Sequence, residues 1–183
     1  MSESDSRLLE AARQGNESSF LALYRRHRTP LFRFAWRLTG SVATAEDVTQ
    51  ECFLALMNGS GFRGGENSLR AYLFGITRHL AFQRARLSDR ESEEEDRETA
   101  PEQLDSLLSS ERSEAVARAV GALPPLQREA LILFEYEELS LDEIAQATGV
   151  DTGAVKARLH RAREALRRRL APLMPERAGR RWS

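Results

Sequence analysis

The stretch LSLDEIAQATGVDTGAVKARLHRAREALRRRL, Leu139 to Leu170, decides the fold. It reads as two helices joined by a tight turn. Ser140 and Glu143 have the form of a capping box: the hydroxyl can accept from a backbone N–H, and the glutamate three residues on can reach back. Ile144 and Ala145 then fall on an inward face, and the small Ala145 lets a second helix cross closely. Gly149 supplies the positive φ of a sharp turn. Asp151 or Thr152 can cap the next helix. There Val155, Leu159 and Ala162 recur at i, i+4 and i+7, and Leu166 extends the stripe. Lys156, Arg158, His160, Arg161 and Arg163 lie on the opposite face. A small residue, a glycine four later and a β-branched apolar residue six after that glycine is helix-turn-helix spacing. A basic amphipathic surface helix on an ordinary hairpin would not need spacing, capping and charge to agree.

Outward from that motif, the composition is that of a helical protein. The 183 residues are 41% hydrophobic, 30% charged and only 7% aromatic, which suits one to two small all-α domains. No apolar run approaches a membrane span, and the N-terminus lacks a signal-peptide pattern, so a cytoplasmic protein without membrane insertion is expected. The single cysteine, Cys52, cannot form an internal disulfide. Three scattered histidines and one cysteine make no zinc site, and no cofactor or metal is expected. The net charge of −1 hides segregation. Residues 1–87 hold 12 Lys/Arg against 8 Asp/Glu, residues 88–114 hold 3 against 11, residues 115–151 hold 2 against 7, and residues 152–183 hold 10 against 2. Basic ends and an acidic middle suggest a DNA-facing surface and a segment that stays off it.

The pattern predicts a first helix region over 5–24, broken at Gly15–Asn16, and a second helix opened by Pro30 and closed by Gly40. A third helix begins at Thr44 or Ala45, with acids in its first turn. Its Val48, Cys52, Ala55 and Leu56 face the core. Asp47, Gln50, Glu51 and Leu54 share another face at i, i+3, i+4 and i+7. That face is either a docking surface for a basic partner or an ordinary solvated one, and periodicity does not choose. Gly59–Asn67 is a glycine-rich loop without the Gly-Lys-Ser/Thr ending of a nucleotide-binding loop. Its Phe62 and Arg63 suit contact with irregular or unpaired nucleic acid. Ser68 caps a long helix to Arg86 with Leu69, Leu73, Ile76 and Leu80 as core. Arg70, Arg78, Arg84 and Arg86 interleave with Tyr72, Phe74 and Phe82, a mixture suited to single-stranded DNA, although at least one aromatic is expected in the core. Residues 88–112 form an acidic linker. Residues 113–137 give two helices divided by Pro124–Pro125, which complete a small domain with the helix-turn-helix, 113–171. The tail 172–183 is basic.

Two small helical domains joined by an acidic linker, the second ending in a helix-turn-helix, resemble a bacterial RNA polymerase sigma factor of the extracytoplasmic-function class. The resemblance is carried by AEDVTQECFLAL, FRGGENSLRAYLFGITRHLA and LPPLQREALILFEYEELSLDEIAQATGVDTGAVKARLHRARE, in that order. The chain has neither the long N-terminal extension nor the middle domain of housekeeping sigma factors. The resemblance implies that Asp47, Gln50 and Glu51, with Leu54 beside them, dock on the coiled coil of the largest subunit of core RNA polymerase. It implies that the loop through Phe62, Arg63 and Asn67 holds a flipped base. It implies that this loop, with the helix of Ser68, Arg70, Tyr72 and Arg78, captures and helps melt the minus-ten element of promoter DNA. It places Thr152, Lys156, Ala157, Arg158 and His160 in the major groove at the minus-thirty-five element, with Arg161 and Arg163 on phosphates. It also implies an anti-sigma partner. His79, Phe82–Gln83 and Met57 depart from the family's commoner residues. The rival readings are a free-standing helix-turn-helix regulator and, far behind, a helical enzyme. No catalytic cluster supports an enzyme.

Overall fold

A computed structural model describes residues 4–59, 61–62, 68–91 and 111–173. The acidic linker beyond residue 91 and the basic tail after 173 lie outside them, as do Arg63 and Asn67. Among the described residues the regular structure is entirely helical. The N-terminal half is α1 (Asp5–Arg13), α2 (Glu17–Thr39), α3 (Val42–Met57) and α4 (Leu69–Glu91). The C-terminal half is α5 (Glu111–Gly121), α6 (Pro125–Leu131), a π-helical turn (Ile132–Tyr136), α7 (Leu141–Thr148) and α8 (Thr152–Leu170).

Local chemistry sets most boundaries. Asn16 caps α2, its side chain accepting from the Ser19 N–H. Gly40 ends α2 at φ 74°, a left-handed conformation that costs glycine nothing. Ser41 caps α3 by accepting from the Thr44 N–H. The helix therefore starts two residues before the expected Thr44, and Glu46 and Asp47 fall outside its first turn. Proline does not open a helix at position 30 either. Pro30 sits inside a continuous α2, whose buried stripe of Leu23, His27, Leu31 and Phe34 spans it. One missing backbone donor is outweighed by an apolar face packed on both sides of it.

In the second half, Pro125 occupies the first turn of α6, where an N–H is not needed. Ser140 and Glu143 form the complete reciprocal capping box of α7. Gly149 closes α7 at φ 69°, and Asp151 caps α8 by accepting from the Ala154 N–H at 2.8 Å. Ser140→Ala is expected to cost about 1 kcal/mol of stability, read as a fall in the urea midpoint, with Ser140→Asp nearly neutral. No change on removing the hydroxyl would mean that Glu143 alone holds the turn.

A continuous apolar core runs through both halves. Leu23, Leu31, Phe34, Cys52, Leu56, Leu73 and Phe74 are buried on the N-terminal side, and Ile132, Leu133, Leu139, Ile144, Val155 and Leu159 on the other. Phe34 and Phe74 meet edge to face, centroids 5.2 Å apart. Cys52 is the small core residue expected, and burial raises its thiol pKa to about 11. Trp36 is half-buried against a smaller cluster of Ala35, Ala45, Val48 and Ala81.

The halves meet where α4 lies against α7. A Cβ placed on Gly75 would come 3.2 Å from the Ala147 carbonyl oxygen, so the two backbones touch there. Gln146 and Ser68 exchange two hydrogen bonds: the Ser68 N–H donates to Oε1 at 3.2 Å, and Nε2 donates to the Ser68 carbonyl at 3.1 Å. The Ser68 hydroxyl also donates to Glu143 at 2.9 Å.

Candidate nucleic-acid interface

In α8 the motif divides as its sequence predicts. Val155, Leu159 and Ala162 are buried, while Lys156, His160, Arg161 and Arg163 are exposed. Thr152 and Ala157 are half-buried. Thr152, Lys156, His160 and Arg163 follow one another at helical spacing along one side. Phe134 and Leu141 join Lys156, Leu159, His160 and Arg163 around an open groove of about 310 Å³. Arg163 donates to Glu135 at 2.8 Å and lies over the Phe134 ring at 5.1 Å, which fixes its direction. Arg158 is different. It is half-buried, and its Nη1 is buried with no hydrogen-bond partner among the described residues. The charge it faces is that of Glu129.

The candidate minus-ten residues lie on α4 and the turn before it. Ser68 caps the helix, accepting from the Ala71 N–H at 3.2 Å. Tyr72 is half-buried, and its ring stands 5.2 Å from that of Phe62. Phe62 itself is 8% exposed, so it packs as well as borders the loop. A second open pocket of about 350 Å³ lies beside it, lined by Ser6, Leu9, Glu10, Arg13 and Gln14 of α1 and its end. Arg70 and Arg78 are half-buried because the C-terminal half covers them. Arg70 donates to the Glu137 carbonyl, and Arg78 bonds the Glu129 carboxylate. Arg78 also lies 5.1 Å over the Phe82 ring. Of the interleaved aromatics, Phe74 is core at 1% exposed.

The α3 face stands clear of these contacts. Asp47, Gln50 and Leu54 are exposed, and Glu51 is half-exposed. Leu54 is 63% exposed, unusual for a leucine flanked by buried Phe53 and Leu56. Arg84 of α4 reaches across to Glu51 at 2.8 Å and to Asp47 at 4.0 Å. The two carboxylates thus already attract a guanidinium, while the apolar Leu54 remains open beside them.

Sequence reasoning missed a set of buried charges. Glu129 is 0% exposed and Glu137 2%. The Glu137 carboxylate is 3.5 Å from both Arg33 and Arg37 of α2. Burial pushes both carboxyls above their ordinary range, against the pull of Arg78 and Arg158 on Glu129 and of Arg33, Arg37 and Arg70 on Glu137. The i, i+4 spacing of Arg33 and Arg37 was a readable signal. Their partner a hundred residues away was not.

A family profile described as Sigma-70 region 2 matches residues 23–91, and one described as Sigma-70, region 4 matches residues 113–166. The ECF RNA polymerase sigma factor SigE of Mycolicibacterium smegmatis (strain ATCC 700084 / mc(2)155) is 35% identical over 81% of this chain, which spans 60% of that relative's length. SigL of Mycobacterium tuberculosis (strain ATCC 35801 / TMC 107 / Erdman), of the same description, is 34% identical over 83% of this chain and 89% of its own. Among solved structures, CnrH in complex with the cytosolic domain of CnrY superposes with a TM-score of 0.72 at 25% identity, covering 93% of this chain and 99% of CnrH. With a region 2 match on α2–α4, a region 4 match on the helix-turn-helix half and relatives above 30% identity, the chain belongs to the extracytoplasmic-function class of RNA polymerase sigma factors, which act in transcription initiation.

Proposed function

We propose that this protein docks on core RNA polymerase through Asp47, Gln50, Glu51 and Leu54 of α3 and directs it to particular promoters. α8 enters the major groove of the minus-thirty-five element, and the loop and helix from Phe62 to Arg78 take the minus-ten strand. The observation that carries the reading is the α8 side of Thr152, Lys156, His160 and Arg163. It is a row of hydrogen-bond donors, exposed at Lys156, His160 and Arg163 and half-buried at Thr152, standing on a buried apolar stripe, as a recognition helix requires. Phosphate contacts give affinity and base-edge contacts give choice of sequence. The protein catalyses no reaction of its own and works in the cytoplasm. Among the described residues no helix is long and apolar enough to cross a membrane. The sigma factor RpoE from Bartonella quintana, a similar solved structure at 26% identity, is in complex with the anti-sigma factor NepR, and that likeness supports an anti-sigma partner here.

Residues 1–87 and 113–171 are the two working units of this proposal, with 88–112 as the tether between them. The polymerase holds both units at promoter spacing, so the isolated protein binds duplex DNA weakly. Copurification with core RNA polymerase, followed by run-off transcription on a promoter library, tests the reading. A stable complex with selective transcripts is expected. No complex, together with tight specific duplex binding by the protein alone, would instead make it a free-standing regulator. In the polymerase complex, Arg161→Ala is expected to reduce the salt dependence of minus-thirty-five binding by about one unit of log K against log salt. An unchanged slope would remove Arg161 from the phosphate path.

A further inference from the structure

Between α6 and α7 the chain takes a wide turn, and that turn grips the recognition helix from outside. Ile132–Tyr136 is π-helical. The Glu137 N–H donates to the Ile132 carbonyl at 3.1 Å, and the Leu139 N–H to the Leu133 carbonyl at 3.0 Å. Glu138 then sits at φ 53°, the one positive φ outside glycine among the described residues. A left-handed glutamate is uncommon, and π turns gather at functional sites. This turn rests on Ile132 and Leu133, both 0% exposed. Its next two residues, Phe134 and Glu135, reach one group, the Arg163 guanidinium. The ring lies 5.1 Å beneath it, and the carboxylate accepts from Nη2 at 2.8 Å. Adjacent residues of a regular α-helix point about 100° apart and seldom share a target.

The other cations on that side of α8 are held differently. Among the described residues Lys156 and His160 pair with no carboxylate, and Arg167 bonds Glu164 of its own helix. Arg163 is fixed from another element. Both side chains of its ion pair are 47% exposed, so the pair adds little to folding. What it does is hold a long, rotamer-rich side chain in one direction. Arg163 follows Thr152 by eleven residues, about 16 Å along the axis. The major groove is about 12 Å wide. With the first turns of α8 at the base edges, Arg163 stands at the wall of the groove, where the phosphates are.

We propose that Glu135 and Phe134 are positioning residues for minus-thirty-five binding, which hold the Arg163 guanidinium ready for a DNA phosphate. The proposal rests on the sigma-factor reading above and deepens it with two residues outside the recognition helix. A guanidinium is a rigid fork of N–H donors. Glu135 takes one of them at Nη2 and leaves the others to form charge-assisted bonds with a phosphate. A carboxylate this close to DNA repels the backbone unless it acts through such an arginine. The sign of its effect therefore separates the two roles.

The test uses the full chain on core RNA polymerase and a duplex promoter selected from the run-off library, with affinity read by filter binding. Glu135→Ala is expected to bind about fivefold more weakly, the order of the cost of immobilising one long side chain on association. Glu135→Gln keeps an acceptor oxygen and drops the repelling charge, so it is expected to stay within about twofold of wild type. Phe134→Leu is expected to lose about threefold with the ring face. Arg163→Ala is expected to lower the salt slope by about 0.9. On that background neither Glu135→Ala nor Phe134→Leu is expected to cost anything further, since each acts through the arginine. The melting temperature of the Glu135 variants is expected to match wild type.

Unchanged or tighter binding by Glu135→Ala would make Glu135 an ordinary surface acid and overturn the proposal. So would a loss that persists without Arg163, or one that glutamine does not rescue. An unchanged slope for Arg163→Ala would mean that the gripped arginine meets no phosphate. Wild-type holoenzyme is measured alongside. If it binds promoters while these expectations fail, only this inference falls, whereas a wild-type protein that neither joins the polymerase nor selects promoters overturns the sigma-factor mechanism itself.

Discussion

Glu51→Lys is expected to lower affinity for core RNA polymerase by about 30-fold or more while leaving the fold intact. Glu51 is half-exposed on α3, and its only ion pair among the described residues is with Arg84, itself 42% exposed. Such an exposed pair contributes at most about 1 kcal/mol to folding. Helicity and melting temperature should therefore barely move. At a protein interface the same carboxylate faces a basic surface with water excluded. Breaking a desolvated charge pair there costs about 2–5 kcal/mol, and reversing the charge adds repulsion. Two kcal/mol is already about a 30-fold loss. Arg84→Ala provides the matched control. It leaves both carboxylates and removes an internal competitor, so polymerase affinity should hold or rise. Normal binding by the charge-reversed protein would take the α3 face out of the docking surface. Equal losses from both substitutions would mean that the Glu51–Arg84 pair, rather than the carboxylate, is what the polymerase meets.

Phe34→Ala is expected to be the most destabilising single truncation in the N-terminal half, by about 3–5 kcal/mol. Phe34 is wholly buried on α2 and packs edge to face on Phe74 of α4. Its removal leaves a cavity between two long helices that are each anchored elsewhere and cannot simply collapse. The loss of an edge-to-face ring pair adds about 0.5–1.5 kcal/mol beyond the area effect. A small domain has about 5–15 kcal/mol in total, so much of its margin would go. The check is the urea midpoint of the variant, with Phe34→Leu as the intermediate case. A loss below about 1 kcal/mol would show that α2 and α4 repack freely, and that the ring contact does not hold them in place.

The helix-turn-helix was legible because every part of it is local. Ser140 and Glu143 cap α7, Gly149 turns the chain and Asp151 caps α8, all within a dozen residues. The exposed α3 face was legible as a pattern, since Val48, Cys52 and Leu56 had to point the other way. Pro30 misled because proline often opens a helix, and here a long buried stripe overrode it. The α4–α7 seam was hidden for a different reason. The stripe of Leu69, Leu73, Ile76 and Leu80 describes one buried face, yet Ala71, Phe74 and Thr77 are buried as well. A helix covered on two sides has no single period to find. Nothing local marks Glu129 and Glu137 as buried, because their arginines stand 51 and 100 residues away. The same distance concealed that Arg70 and Arg78, rightly placed outside the N-terminal core, already have partners.

The buried thiol of Cys52 has a practical consequence for watching this molecule move. With a pKa near 11, about one molecule in ten thousand carries the reactive thiolate at neutral pH, and the sulfur is sealed beneath α4, near the Leu73 carbonyl. Maleimide dyes and nitroxide spin labels will pass it by in the folded protein. Two cysteines introduced on the outer surfaces of α3 and α8 would then be labelled cleanly in the otherwise native chain. The distance between its halves could then be measured, one molecule at a time.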